Sequence, residues 1–226
     1  MLEVKLISYN EFGVDTVEEA ASMCYDSKPT KSHAITKSCI KNGHLSVTEH
    51  TTFTFEISGV SRACLAQITR HRIGVSFTVR SQRYCDEAGF SYVIPPSIQA
   101  NKEAFHRYEK IMRGLQDSYA DLQFLGIPNE DARMVLPNGC ETKFVVTFNW
   151  RSLMHFFNER LCTRAQWEIR DVALKMRDLV IEVAPDTKPT LVPKCEKIQD
   201  FMFCTEDVDK CCGRHPHYST LNITSK

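Results

Sequence analysis

The chain has 226 residues, 42% hydrophobic and 25% charged, with 28 Lys and Arg against 28 Asp and Glu. That length can bury a full core, and the zero formal net charge argues against a protein that grips nucleic acid non-specifically, which carries excess positive charge. No stretch approaches the ~18 apolar residues of a membrane span, and the opening Met1-Leu2-Glu3-Val4-Lys5-Leu6 lacks the basic leader and apolar run of a signal peptide, so a cytoplasmic protein without a membrane partner is expected.

Ten cysteines are spread along the chain. In a reducing compartment they are expected to be free thiols that pack as small hydrophobes. There is no repeat and no low-complexity linker, which predicts one continuous domain over 1–226.

In chain order, helices are predicted over 16–25 and 35–42, the second ended by Gly43. Thr52, Thr54 and Glu56 alternate with Phe53, Phe55 and Ile57, the period of a strand with one buried face, ended by Gly59. Ser61 is placed to cap a helix through Ala63, Leu65 and Ile68. That helix delivers Gln67 and Arg70, and a loop over 72–81 follows. A short strand at 92–94 stops at Pro95-Pro96. Over 101–125, Phe105, Tyr108, Met112, Leu115, Tyr119 and Leu122 recur at helical spacing. Pro128 suits the first turn of a helix carrying 133–136. A buried strand is predicted over 142–149, then helices over 151–161 and 165–183. Irregular interleaving without a βαβ repeat predicts an α+β domain with a mainly antiparallel sheet flanked by helices.

The densest chemistry lies in Arg70-His71-Arg72-Ile73-Gly74-Val75-Ser76-Phe77-Thr78-Val79-Arg80-Ser81-Gln82-Arg83-Tyr84. Guanidinium groups bind phosphate oxygens in pairs, so one arginine cluster on a charge-balanced chain points to a small phosphorylated ligand. A basic surface loop is the plainer reading. A second block, Asn149-Trp150-Arg151-Ser152-Leu153-Met154-His155 through Arg160, puts Arg151 and His155 one helical turn apart on a shared face. On its own this is equally a solvated helix face.

These two blocks, together with Gly43-His44-Leu45-Ser46-Val47-Thr48-Glu49-His50, Ala132-Arg133-Met134-Val135-Leu136-Pro137 and Ala165-Gln166-Trp167-Glu168-Ile169, resemble the flavin-dependent thymidylate synthase family. The spacer between Arg72 and Ser81 is one residue longer than the family's usual one. The resemblance implies reductive methylation of dUMP to dTMP, with methylenetetrahydrofolate as carbon donor and hydride from FAD reduced by NADPH. It also implies a homotetramer whose active sites form between subunits. It places His44, Ser46, Arg70, His71, Arg72, Asn149, Arg151 and His155 on FAD. Gln67, Arg70, Ser81, Gln82, Arg83, Arg133 and Arg160 fall on dUMP, with Arg160 as the catalytic group stabilising charge that develops on the pyrimidine. His155 stands where the family commonly has Asn, Val79 where an acidic residue is common, and Arg164 where a histidine often lies. Other readings are a flavoprotein of this fold acting on another nucleotide, a transferase with Cys140 as nucleophile, and a non-enzymatic zinc or nucleic-acid module.

The Cys-rich tail over 194–226 carries Cys195, Cys204, Cys211, Cys212, His215 and His217. Zinc sites usually pair cysteines two to four residues apart, and these gaps are wider. The tail is therefore expected to hold reduced thiols, bind no metal and be dispensable for the chemistry.

Overall fold

The protein is described by a computed structural model over residues 1–197 and 202–221. The tail expected over 194–226 therefore lies outside the described residues at 198–201 and 222–226. Four strands, β1 (Glu3–Tyr9), β2 (Thr52–Ser61), β3 (Val75–Val79) and β4 (Glu141–Asn149), form one antiparallel sheet in the order β1-β2-β4-β3. Around it run the helices α1 (Gly13–Met23), α2 (Ala34–Lys41), α3 (Arg62–Ile68), α4 (Pro96–Gln99), α5 (Lys102–Phe124), α6 (Asn129–Ala132), α7 (Trp150–Arg160) and α8 (Trp167–Val183). The expected α+β class with an antiparallel sheet is the one observed. Among the described residues no helix is long and apolar enough to cross a membrane.

Side-chain alternation builds the sheet. In β2, Phe53, Phe55 and Ile57 are buried while Thr52, Thr54 and Glu56 are not. In β4 the buried set is Thr142, Phe144, Val146 and Phe148, so this strand has one buried face rather than being buried throughout. On the opposite face Thr54 Oγ1 and Thr147 Oγ1 lie 2.9 Å apart. Burying a phenylalanine contributes about 1.5–3 kcal/mol, so these two strands anchor the core.

Four expectations needed correction. Gly59 does not end β2, which continues to Ser61. Gly59 has φ +69 and a Cβ there would lie 2.2 Å from the Met1 carbonyl oxygen, so its role is the close approach of the amino-terminal segment. The loop expected over 72–81 contains β3, with Val75, Phe77 and Val79 half-buried and Ser76 and Thr78 exposed. The strand expected at 92–94 is a single bridge from Tyr92 to Cys140. Pro128 precedes α6 as its N-cap residue, and 133–135 is a 3₁₀ turn. β1 was not expected, although Leu2, Val4 and Leu6 alternate with Glu3 and Lys5.

The chain groups into two compact units. The first comprises Met1–Glu3, Glu56–Arg70 and Phe77–Val145, and the second Val4–Phe55, His71–Ser76 and Val146–Lys226. In the first, Phe90, Met112 and Cys140 form a buried cluster packed by Tyr92, Tyr108, Leu115 and Leu136. Helix α5 is fixed at its start by Asn101, whose side chain accepts from the Glu103 and Ala104 amides. In the second, α1 and α7 both pack on the 3₁₀ turn Leu45–His50, and α7 also packs on α8. Phe148, Phe156 and Phe157 stack in series there at 5.3 and 5.4 Å between ring centres.

Candidate functional site

In the second unit, the start of α7 clamps the segment that carries the Arg-His-Arg motif. Asn149 Oδ1 accepts from the Ser152 amide at 2.9 Å, capping the helix, and the Asn149 amide donates to the Gly74 carbonyl at 3.0 Å. Ser152 Oγ donates to the Ile73 carbonyl. Gly74 has φ +66, and a Cβ on it would lie 2.3 Å from Asn149 Nδ2. Only glycine fits a left-handed position that also touches a neighbouring side chain. Asn149 was expected on the cofactor; here its side-chain oxygen is committed to the cap and its backbone amide to the Gly74 carbonyl, which leaves the side-chain amide nitrogen to reach a cofactor.

The centre of the unit is a coupled pair. Arg160 Nε donates to His71 Nε2 at 3.1 Å. Arginine stays protonated, so the accepting nitrogen must be bare and His71 must be neutral, with its proton on Nδ1. Burial of the ring, the Arg160 charge and His155 together depress the His71 pKa from 6.5 to about 4. The His71 ring meets His155 edge-on at 5.5 Å and Phe156 at 5.1 Å. The last turn of α7 and the Arg-His-Arg motif are 89 residues apart in sequence and meet here. His71 is buried and His155 exposed.

Around this pair the expected cofactor residues are presented on the surface. Arg151 forms a 2.6 Å ion pair with Glu49, on the turn that follows His44 and contains Ser46. His44, Ser46, Arg72 and Arg151 are all exposed. Glu49 was not singled out from sequence; its partner lies 102 residues away, and nothing local signals the pairing.

In the first unit, Arg83 and Arg133 converge on one residue. Arg83 pairs with the Glu130 carboxylate at 2.8 Å, and Arg133 Nε donates to the Glu130 carbonyl at 3.0 Å. Glu130 was likewise missed. Ser81 Oγ accepts from the Arg83 amide at 3.3 Å. Arg70 is exposed and Gln67 half-buried. Gln82 departs from expectation, being buried with its amide pointing to Cys140 Sγ at 3.8 Å. Arg80 is taken up structurally: it pairs with Glu87, which is only 5% exposed, and donates to the Asp86 carbonyl at 3.1 Å.

Cys140 is fully buried, and burial pushes its thiol up to about 11. A nucleophilic cysteine needs a lowered pKa and access, so this thiol is a core residue.

Comparison with known proteins gives a consistent result. A family model described as "Thymidylate synthase complementing protein" matches residues 5–186. The flavin-dependent thymidylate synthase of Nitratidesulfovibrio vulgaris is 45% identical over 194 residues, 82% of this chain and 78% of that protein. That of Geobacter sulfurreducens is 43% identical over 191 residues, 84% and 79% of the two chains. That of Pyrococcus furiosus is 39% identical over 225 residues, 91% and 90% of the two chains. With all the motif blocks inside the matched span, the chain belongs to the thymidylate synthase complementing protein family.

Proposed function

We propose that the protein is a flavin-dependent thymidylate synthase that converts dUMP to dTMP with methylenetetrahydrofolate as the one-carbon donor. It works in the cytoplasm as a homotetramer. The observation that carries this reading is the Arg160–His71 hydrogen bond, which ties the family's two strongest motif blocks into one constellation. FAD, reduced by NADPH, supplies the hydride that no side chain can provide.

The residues present fit that cofactor. Arg72 and Arg151 are exposed guanidinium groups suited to pyrophosphate oxygens. His44, Ser46 and His155 are exposed donors suited to the polar rim of a flavin. Gln67, Arg70, Ser81 and Gln82 are assigned to the nucleotide; Gln82 must turn outward to take that role.

The remaining chemistry is electrostatic. Arg83 and Arg133, gathered at Glu130, hold the dUMP phosphate with charge-assisted bonds. Arg160 faces the pyrimidine and stabilises negative charge as it develops on the ring. Neutral His71 supports this role, because it accepts from Nε and fixes the guanidinium plane without adding a competing charge. Arg160→Ala should keep flavin bound, seen as yellow protein, and lower dTMP formation by about 10²–10³-fold, the usual range for losing one such donor. Arg160→Lys should recover little, since an ammonium cannot reproduce the planar fork. Near-normal turnover in the alanine variant would overturn the assignment, and colourless purified protein would overturn the reading.

A further inference from the structure

The tail cysteines meet a fifth from the body of the second unit. Cys162, Cys195, Cys204, Cys211, Cys212 and His215 line one cavity of about 10 Å³, room for about one small atom. They come from the loop after α7, the 3₁₀ turn Lys194–Glu196, and the stretch 204–215. The Cys204 and Cys211 side chains share a hydrogen bond, and Cys162 lies near enough to Cys195 and Cys204 to act on both electrostatically. The Cys195 sulfur, a Glu196 carboxylate oxygen and a His215 ring nitrogen lie within 4.8 Å of one another.

Ion pairs such as Lys194–Glu206 and Arg214–Glu196 reach this stretch, but apolar packing holds little of it. Between 202 and 221 the one buried residue among those described is Cys204. The local order is two short 3₁₀ turns, Val208–Lys210 and Tyr218–Thr220, and a single bridge from Cys204 to His217. Small segments with little apolar core are commonly stapled by a disulfide or a metal. The cavity wall also carries Lys194, Lys210 and Arg214, each paired with a carboxylate, of Glu206, Asp207 and Glu196 in turn.

We propose that Cys162, Cys195, Cys204 and Cys211 bind one zinc ion that staples the tail to the loop following Arg160. Each thiol gives up its proton as the ion enters. The spacing rule fails here because it considers only the tail; the fourth ligand is Cys162, 33 residues upstream of Cys195. His215 is engaged by Glu196, with Nε2 3.2 Å from the carboxylate. Cys212 is exposed and hydrogen-bonds Thr163. Both are assigned as neighbours of the ion, an assignment that the His215→Ala variant below tests.

The test uses full-length protein purified under reducing conditions without a metal-affinity step. Elemental analysis should find about one zinc per chain, as expected for a structural site. Cobalt(II) added to chelator-stripped protein should give the near-ultraviolet thiolate charge-transfer band and the visible bands of a tetrahedral site. Trypsin cleavage at Lys210 and Arg214 should quicken after stripping. Cys162→Ser and Cys204→Ser should each lose zinc, while His215→Ala keeps it. Protein that carries no zinc and gives no cobalt bands would overturn the proposal, and so would tail cysteines found as disulfides by mass spectrometry. Zinc lost in His215→Ala but kept in Cys162→Ser would overturn the ligand assignment. None of these readouts depends on flavin or on turnover.

Discussion

Acid should unfold this protein in part through His71. The perturbation is protonation of a ring that accepts a hydrogen bond from Arg160 and is otherwise buried. In the folded chain the His71 pKa is depressed from 6.5 to about 4 by burial, Arg160 and His155. The unfolded chain takes up the proton near 6.5 while the folded chain refuses it. The stability tied to the neutral ring is therefore complete above about pH 6.5 and is lost progressively as pH falls to about 4. A gap of about 2.5 pH units at roughly 1.4 kcal/mol each amounts to about 3 kcal/mol. His71→Gln removes the titration while keeping an oxygen that accepts from Arg160 Nε. Urea unfolding of both proteins across this range, at one fixed protein concentration, cancels the carboxylates they share. The wild type should lose about 3 kcal/mol more than the variant. Parallel curves, or a His71 imidazole that titrates near 6.5 by NMR in the folded protein, would refute the reasoning.

Glu18 offers a second acid limb. Burial alone would raise its pKa, but hydrogen bonds from Thr30 and Thr36 outweigh this and lower it from 4.5 to about 2. Its contribution is complete above about pH 4.5 and lost as pH falls to about 2, so Glu18→Gln should cost about 3 kcal/mol at neutral pH and flatten that limb in thermal unfolding. Cys140→Ala, and Cys85→Ala at the partly buried thiol that directly follows the arginine-rich motif, should each keep substantial activity, with Cys140→Ala less stable by about 1–2 kcal/mol for the cavity it leaves; a covalent dUMP adduct on either thiol by mass spectrometry would contradict this. Gly74→Ala must accept a left-handed backbone at roughly 1–2 kcal/mol and displace Asn149 Nδ2, so urea unfolding should show a loss of at least about 2 kcal/mol, with weakened flavin binding by absorbance titration.

Local pattern carried much of the fold into the sequence. The alternation of β2, the Asn101-capped helix α5 and the Ser61 cap of α3, which accepts from the Cys64 amide at 3.0 Å, are all written in neighbouring residues. β3 was obscured by its own chemistry. Val75, Phe77 and Val79 alternate with Ser76 and Thr78, but they sit inside an arginine-rich motif that reads as a ligand loop. Ion-pair partners were not legible at all: Glu49 and Glu130 meet Arg151 and Arg83 across 102 and 47 residues, and no periodicity encodes a contact made only by folding. The same limit applies to Cys162 and the tail.

The arginines that look alike in the motif separate by what each must give up to bind an anion. Arg80 faces a Glu87 carboxylate that is almost wholly buried. Removing either partner of such a pair typically costs about 3–5 kcal/mol because the other charge is left stranded, so Arg80 holds the fold and does not turn to a ligand. The Arg83–Glu130 pair is half-exposed on both sides. Pairs of that kind are worth about 0–1 kcal/mol, less than the ~1.5–3 kcal/mol of a hydrogen bond to a charged group, so a phosphate can displace the carboxylate. Arg70 and Arg72 are exposed and have no ion-pair partner among the described residues, so an anion displaces no carboxylate there. Arg160 already spends one donor on His71, which leaves its terminal nitrogens for substrate. Burial of the counter-charge, rather than spacing in the motif, therefore decides which guanidinium groups serve the fold and which serve the ligand.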